Sequence, residues 1–313
     1  MNSFIEIIRA GINSTFQDNG RNNLYHIGVP FSGAMDQRNF KLANKIVGNK
    51  IDSPVIEFAY QGPLIKYKGN KVNFVITGDV VFKIIKKDKE IDGNCYESYF
   101  MEDGDAIDII STNKSVYGYF AIAGEFDLKF QWGSCSINTK ANIGSNNGKK
   151  LSNNQKFKIL KINSNQIKKK IDYINTRIEK IRVITGTNFD YFSREAKKIF
   201  FAKEFIVSKL SDRMGMRLEG QNIENVVDTN IRSEGLIKGA IQVPADGNPI
   251  IMLSDHGTIG GYPKIGVVIS ADYDRLVQLS PGSKIKFQKI DLSDAETLFK
   301  LYEMENQNLI SQI

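Results

Sequence analysis

Two histidines, His26 and His256, and two cysteines, Cys95 and Cys135, are all that this chain of 313 residues contains of those types. Their spacing offers no metal-ligand pattern. With no partner motif near either cysteine, the pair argues against a disulfide framework and fits a reducing compartment. No run of about 18 apolar residues occurs, and Glu6 and Arg9 interrupt the most apolar part of the N-terminus, so neither a membrane span nor a signal peptide is expected. These absences predict a cytoplasmic protein that does not engage membranes.

Other chemistries fail on motif. No G-x-S-x-G nucleophile elbow is present. The run GSNNGKK at 144–150 resembles a phosphate loop at first sight, but its glycine spacing and the missing Ser or Thr after Lys149 exclude a Walker motif, so no ATP site is expected in this chain. An A-M-K-M biotin-attachment tetrapeptide is missing too. The net charge of +7 raises nucleic acid as a partner. Against it, the densest lysines, Lys86 to Lys89, Lys149 to Lys161 and Lys168 to Lys170, lack the interleaved aromatics that stacking on bases needs.

What remains is an ordinary globular composition, 41% hydrophobic and 25% charged, long enough for two domains. Short alternating segments at 3–8, 55–60, 72–77, 80–85, 106–110 and 116–123 are separated by Gly, Asn and Asp turns, which predicts an all-β barrel or sandwich. From 144 to 182 the texture turns to Asn, Ser and Lys. Here Ile167, Ile171, Ile174, Ile178 and Ile181 recur at helical steps, consistent with a connecting helix or with a solvated linker ending in a strand. The expected organisation is an N-terminal β lobe over 1–150, a linker over 151–180 and a C-terminal β lobe over 181–313. Strands are expected in the second lobe at 181–185, 205–209, 213–218, 249–253, 265–270 and 284–287, and short helices at 193–202, 271–279 and from Ser293, which forms a capping box with Glu296.

Three stretches are denser in polar and special-backbone residues than a loop requires. In the first, residues 15–57, Asp36 is placed to cap a helix, Met35 and Phe40 to staple it, and Gly48 to end it. Upstream, Gln17, Asp18, Arg21, His26, Ser32 and Asp36 crowd between glycines. This suits either a polar loop facing a ligand or a loop whose side chains satisfy their own backbone. In the second, SDRMGMRLE at 211–219, a period of two puts Met214, Met216 and Leu218 inward and Arg213, Arg217 and Glu219 outward. Two guanidiniums on one face suit a carboxylate, carbonate or phosphate, although Glu219 is an alternative partner for Arg217. In the third, 239–264, Gly260 and Gly261 permit close backbone approach, Tyr262 offers a hydroxyl and Lys264 a charge; well-made β-turns explain the same composition.

Together these stretches resemble one family, the biotin-dependent carboxyltransferases, also called allophanate hydrolase subunit 2 or KipA-like. The resemblance rests on TFQDNGR (15–21), GVPFSGAMD (28–36), LANKIVGN (42–49), SDRMGMRLEG (211–220), GAIQVPADGNP (239–249) and GGYPK (260–264), in order along nearly the whole chain. It implies a mainly β, two-lobed, cyclophilin-like β-barrel architecture with a few short helices. Cys135 stands where a basic residue is expected in a G-S-R-S-like turn, and Ile259 replaces one member of a Thr pair.

The family includes the C component of an ATP-dependent 5-oxoprolinase, the carboxyl-accepting region of urea carboxylase, and KipA-type regulators that relieve inhibition of a sensor kinase by KipI. The first implies a KipI-like B component and a LamB/YcsF-like A component as partners, with ATP used by the complex and no cofactor held by this chain alone. The second implies carboxybiotin, arriving on another protein, and a urea-like acceptor. In the first reading Arg213 and Arg217 hold the substrate carboxylate or a carboxyphosphate-like group, and Gln242 and Tyr262 orient the reacting amide. Ser32, Gly260, Gly261 and Lys264 contribute to substrate binding. Asp18, Arg21, His26 and Asp36 complete the wall, with His26 the group whose ordinary pKa suits proton transfer near neutrality.

Overall fold

The computed structural model describes residues 3–162, 168–173, 178 and 180–313. The fold is mainly β, with four α-helices among the described residues: α1 (Gln37–Val47), α2 (Arg194–Ala202), α3 (Ser270–Leu276) and α4 (Leu292–Ser311). At 20 residues α4 is longer than the short helices expected. The chain divides into two compact units, the first comprising Met1–Arg21, Ser32–Asn175 and Asn306–Ile313, the second Asn22–Phe31 and Thr176–Glu305. The short segment Asn22–Phe31 thus packs with residues far from it in sequence.

The first unit contains a seven-stranded sheet in the spatial order Glu125–Phe126, Lys156–Leu160, Phe4–Arg9, Leu64–Lys68, Ala106–Thr112, Val80–Lys86, Lys89–Asp92. A five-stranded sheet runs Asn13–Gln17, Val55–Ala59, Tyr117–Ile122, Val72–Thr77, Tyr99–Met101. The strand Lys156–Leu160 falls inside the stretch read from sequence as linker. Its lysines conceal a period of two, in which Lys156 and Lys158 face solvent while Ile159 is buried and the Phe157 ring meets Phe16 edge-on at 4.8 Å. Of the isoleucine stripe, Ile167 and Ile174 lie outside the described residues. The described part is extended rather than helical: Ser98 N–H donates to Lys169 O at 2.9 Å and Ile171 N–H to Tyr96 O at 3.1 Å.

Helix α1 forms for local reasons. Asp36 Oδ1 accepts the Asn39 N–H at 2.9 Å, Met35 and Phe40 are both fully buried, and Gly48 turns left-handed (φ 77°) to end the helix. A cap of this kind contributes about 1 kcal/mol, and each buried Phe, Leu or Ile on the inner stripe about 1.5–3 kcal/mol.

In the second unit seven strands close a barrel: Lys180–Thr185, Lys264–Val268, Ala240–Gln242, Ile250–Met252, Gly215–Glu219, Glu204–Val207 and Lys284–Lys289. Closure removes the exposed edges that invite aggregation. Alternate residues fill the interior, among them Ile181, Val183, Phe205, Leu218, Ile241, Ile251, Ile265, Ile285 and Phe287. Phe200 of α2 stacks on Phe287 at 4.4 Å, joining that helix to the barrel wall.

Candidate active site

The polar centre of the second unit is built where the barrel strand Ile250–Met252 runs out into Leu253, Ser254, Asp255 and His256. Backbone hydrogen bonds from Leu253 N–H to Met214 O (3.0 Å) and from Asp255 N–H to Arg213 O (2.9 Å) hold this exit against the 211–214 turn. The side chains repeat the connection: Arg213 Nε donates to Asp255 Oδ2 at 2.8 Å and Nη2 to Oδ1 at 3.1 Å, with both residues buried. A buried carboxylate and guanidinium need this bidentate match, because each alone would carry an uncompensated desolvation penalty.

Next to Asp255 the imidazole of His256 is only 1% exposed. Its Nδ1 lies 2.6 Å from Gly257 O, and its Nε2 lies 3.2 Å from the Tyr25 hydroxyl. A carbonyl only accepts, so Nδ1 carries the hydrogen and Nε2 is the lone-pair nitrogen, which receives the Tyr25 O–H. Burial pushes the His256 pKa below its ordinary value, and the nearby Lys238 charge adds to this; the Gly257 carbonyl and Asp255 act in the opposite sense. Burial raises the Tyr25 pKa. Lys238 places its ammonium 4.2 Å from the ring centroid of Tyr273 and 5.7 Å from that of Phe31, within reach of a cation–π attraction. The Tyr273 hydroxyl is 3.5 Å from Ser254 Oγ, and burial raises its pKa strongly.

A second group surrounds Gln242. Its Nε2 donates to Tyr262 O at 3.2 Å. Gly260 leaves room beside it: a Cβ there would stand 2.6 Å from Gln242 Nε2 and 2.7 Å from Leu236 Cδ1, so both side-chain ends would have to shift. Lys264 is buried, and its Nζ meets Glu234 Oε2 at 2.7 Å, which lowers the Glu234 pKa. Asn188 steadies the pair, accepting the Lys264 N–H at 3.1 Å and donating to Glu234 at 3.5 Å. Gly261 accepts the Ile231 N–H at 2.9 Å, and the Tyr262 side chain is 38% exposed, leaving its ring accessible.

Asp18, Arg21, Ser32 and Asp36, also singled out in the sequence, belong to the first unit. The Asp18 carboxylate is buried and receives Gly20 N–H (2.8 Å), Ser134 Oγ (2.5 Å), Ser136 Oγ (2.6 Å) and Cys135 N–H (2.7 Å). Arg21 donates to the carbonyls of Gln131, Ser134 and Ser136. Together they clamp the 131–136 turn, the place where Cys135 departs from the family pattern. Burial and the Asp18 charge raise the Cys135 pKa. Asp36 caps α1, its own N–H donating to the Tyr119 hydroxyl, which in turn donates to the buried Glu57. Ser32 is buried with φ 58° and accepts a hydrogen bond from Asn138 Nδ2 at 3.2 Å.

One expectation needs correction. The alternation predicted for 211–219 holds only from Gly215 onward: Arg213 is buried and Met214 is 38% exposed. The Asp212 side chain accepts the Met214 N–H at 2.8 Å and makes a turn there, which breaks the period before the strand starts. Arg213 and Arg217 therefore do not share one outward face. Glu219 is hydrogen-bonded to Ser208. The two histidines differ in environment. His26 is exposed on a 3-10 turn, whereas the buried and hydrogen-bonded imidazole is His256. Its partner Tyr25 lies one residue before His26, inside the motif region but not singled out. The adjacency of Asp255 and His256 was the available signal.

A mainly β chain with a closed barrel and this polar centre belongs to the carboxyltransferase domain family, subdomains A and B, which matches residues 27–289. The chain is 30% identical over 298 residues to the C component of 5-oxoprolinase from Escherichia coli, covering 93% of each protein. It is also 30% identical to the same component from Haemophilus influenzae, covering 96% of each. The solved K. lactis urea amidolyase is similar in structure, with a TM-score of 0.87 at 26% identity over 98% of this chain, which spans about a fifth (20%) of that larger protein.

Proposed function

We propose that this chain is the C component of an ATP-dependent 5-oxoprolinase, a cytoplasmic complex that opens 5-oxoproline to glutamate with a KipI-like B component and a LamB/YcsF-like A component. The observation that carries the reading is the match to two 5-oxoprolinase C components over 93% and 96% of their lengths. The chemistry of the second unit supports it. Gln242, held beside Gly260 and Tyr262, offers an amide able to pair with a lactam. His256 supplies a neutral nitrogen at physiological pH, and the exposed Arg217 is available for a substrate carboxylate. Arg213 acts through Asp255 as a strut. ATP enters through the partner proteins, and the chain is inactive by itself.

The test is glutamate release from 5-oxoproline and ATP by the three components together and with this chain omitted. Activity lost on omission is the expected result; a complete set that assembles and releases no glutamate would defeat the reading. The likeness to K. lactis urea amidolyase over 98% of this chain favours, as a second reading, carboxyl transfer from carboxybiotin on another protein to a urea-like acceptor. Carboxylation of urea by the chain with a biotinylated partner would then replace glutamate release.

A further inference from the structure

We infer that Tyr25 and His256 are the proton-transfer pair of this site, with Tyr25 the catalytic residue that takes a proton from a substrate amide or urea N–H and His256 the positioning residue that accepts the Tyr25 proton behind it. The inference rests on the proposed function only in taking a nitrogen-bearing carbonyl compound as substrate. It assigns the step to residues other than His26.

Three observations converge on the pair. The Tyr25 hydroxyl is 3.2 Å from His256 Nε2, and the two rings meet edge-on with centroids 5.8 Å apart. The contact with Gly257 O at 2.6 Å fixes the hydrogen on Nδ1, so Nε2 is free to accept. Accessibility is divided between them: His256 is 1% exposed, whereas Tyr25 is 37% exposed. A substrate therefore reaches the imidazole through the phenol. The segment Asn22–Phe31 that carries Tyr25 belongs to the same unit as His256, although 231 positions separate the two residues.

The transfer balances. The substrate N–H bond breaks and its electron pair remains on the nitrogen–carbonyl unit. That proton forms a new O–H bond on Tyr25, while the original Tyr25 O–H bond breaks toward Nε2. The substrate gains one negative charge and His256 one positive charge. The charged groups facing the imidazole set its tendency to accept: Lys238 and burial oppose the imidazolium, Asp255 and the Gly257 carbonyl favour it, and Arg213 holds Asp255 in place. Tyr25 is protonated near neutrality, as an ordinary phenol is, and burial raises its pKa further, so it relays a proton rather than acting as a phenolate.

The experiment has two arms. In the first, the chain carrying His26→Gln and labelled with nitrogen-15 histidine gives a single imidazole, from His256, by nuclear magnetic resonance. The expected result is the Nδ1–H tautomer at pH 7, a midpoint below the ordinary 6.5, and displacement of the Nε2 resonance to higher chemical shift in Tyr25→Phe. An Nε2–H tautomer, or an Nε2 resonance indifferent to Tyr25→Phe, would overturn the pair. The second arm uses the assembled complex. Tyr25→Phe is expected to lower kcat by about 10²–10⁴-fold with KM little changed, and His256→Gln to remove the acidic limb of the kcat/KM profile. Both variants keeping parental kcat and pH profile would overturn the assignment. A parental complex that releases no glutamate counts against the 5-oxoprolinase reading alone, and the first arm still decides the pair.

Discussion

Arg213 and Asp255 face each other through two parallel hydrogen bonds, of 2.8 and 3.1 Å, in the interior of the second unit. Each neutralises the other, and the backbone N–H of Asp255 also donates to Arg213 O. His256 follows Asp255 directly, so this pair sets the position of the imidazole. The guanidinium serves the protein before it serves any substrate.

Removing one partner leaves the other charge buried. Arg213→Ala and Asp255→Ala should each cost about 3–5 kcal/mol in urea unfolding, whereas the double variant Arg213→Met with Asp255→Leu should cost much less than the sum. Single variants that unfold at the parental midpoint would show that the pair is no strut.

Gly260→Ala tests the space around Gln242. The new Cβ would push aside the Gln242 amide and the Leu236 methyl, so the hydrogen bond to Tyr262 O should be weakened at a cost of about 1 kcal/mol. On the proposed function, KM for 5-oxoproline should rise in the assembled complex. Combining the change with Gln242→Ala should cost less stability than the two changes summed, because one of the two clashes disappears; strict additivity would argue against that clash.

Glu234 has a pKa held below its ordinary 4.5, first by its hydrogen bond to Lys264. A depressed carboxylate contributes stability that is fully present above the unfolded value and is lost as pH falls through the folded one. The urea midpoint should therefore decline below about pH 4.5, and Glu234→Gln should flatten that part of the curve. Added salt should shrink the difference, since Glu234 is half-exposed. Parallel curves for parent and variant between about pH 5 and 3 would contradict the assigned pairing.

The parts of the fold that were legible in sequence are those decided within a few residues. Asp36, Met35, Phe40 and Gly48 specify α1 through a cap, a staple and a left-handed stop, and each interaction spans at most five positions. The turn-separated alternation behind the sheets and the barrel is equally local. Gly260, Tyr262 and Lys264 stand out by glycine and turn chemistry and Gln242 through the family resemblance, and the structure brings the four together.

What failed to show was decided by partners distant in sequence. The strand Lys156–Leu160 is paired by Phe4–Arg9 and Glu125–Phe126, so its lysines could not reveal it. The side-chain oxygen of Asp212 reset the phase of the strand that follows and sent Arg213 inward. His26 and His256 are equivalent as letters. Burial and the Tyr25 hydroxyl distinguish them, and both arise only when residues 22–31 pack with a unit whose other segment begins at Thr176. Short-range hydrogen bonds and side-chain periodicity are written in the chain itself, and they determined the β class and the well-capped helix, while the collinear motifs carried the family resemblance. Desolvation and long-range charge pairing depend on which surfaces meet, so only the tertiary structure decided which histidine is buried, which arginine is spent and which tyrosine faces solvent.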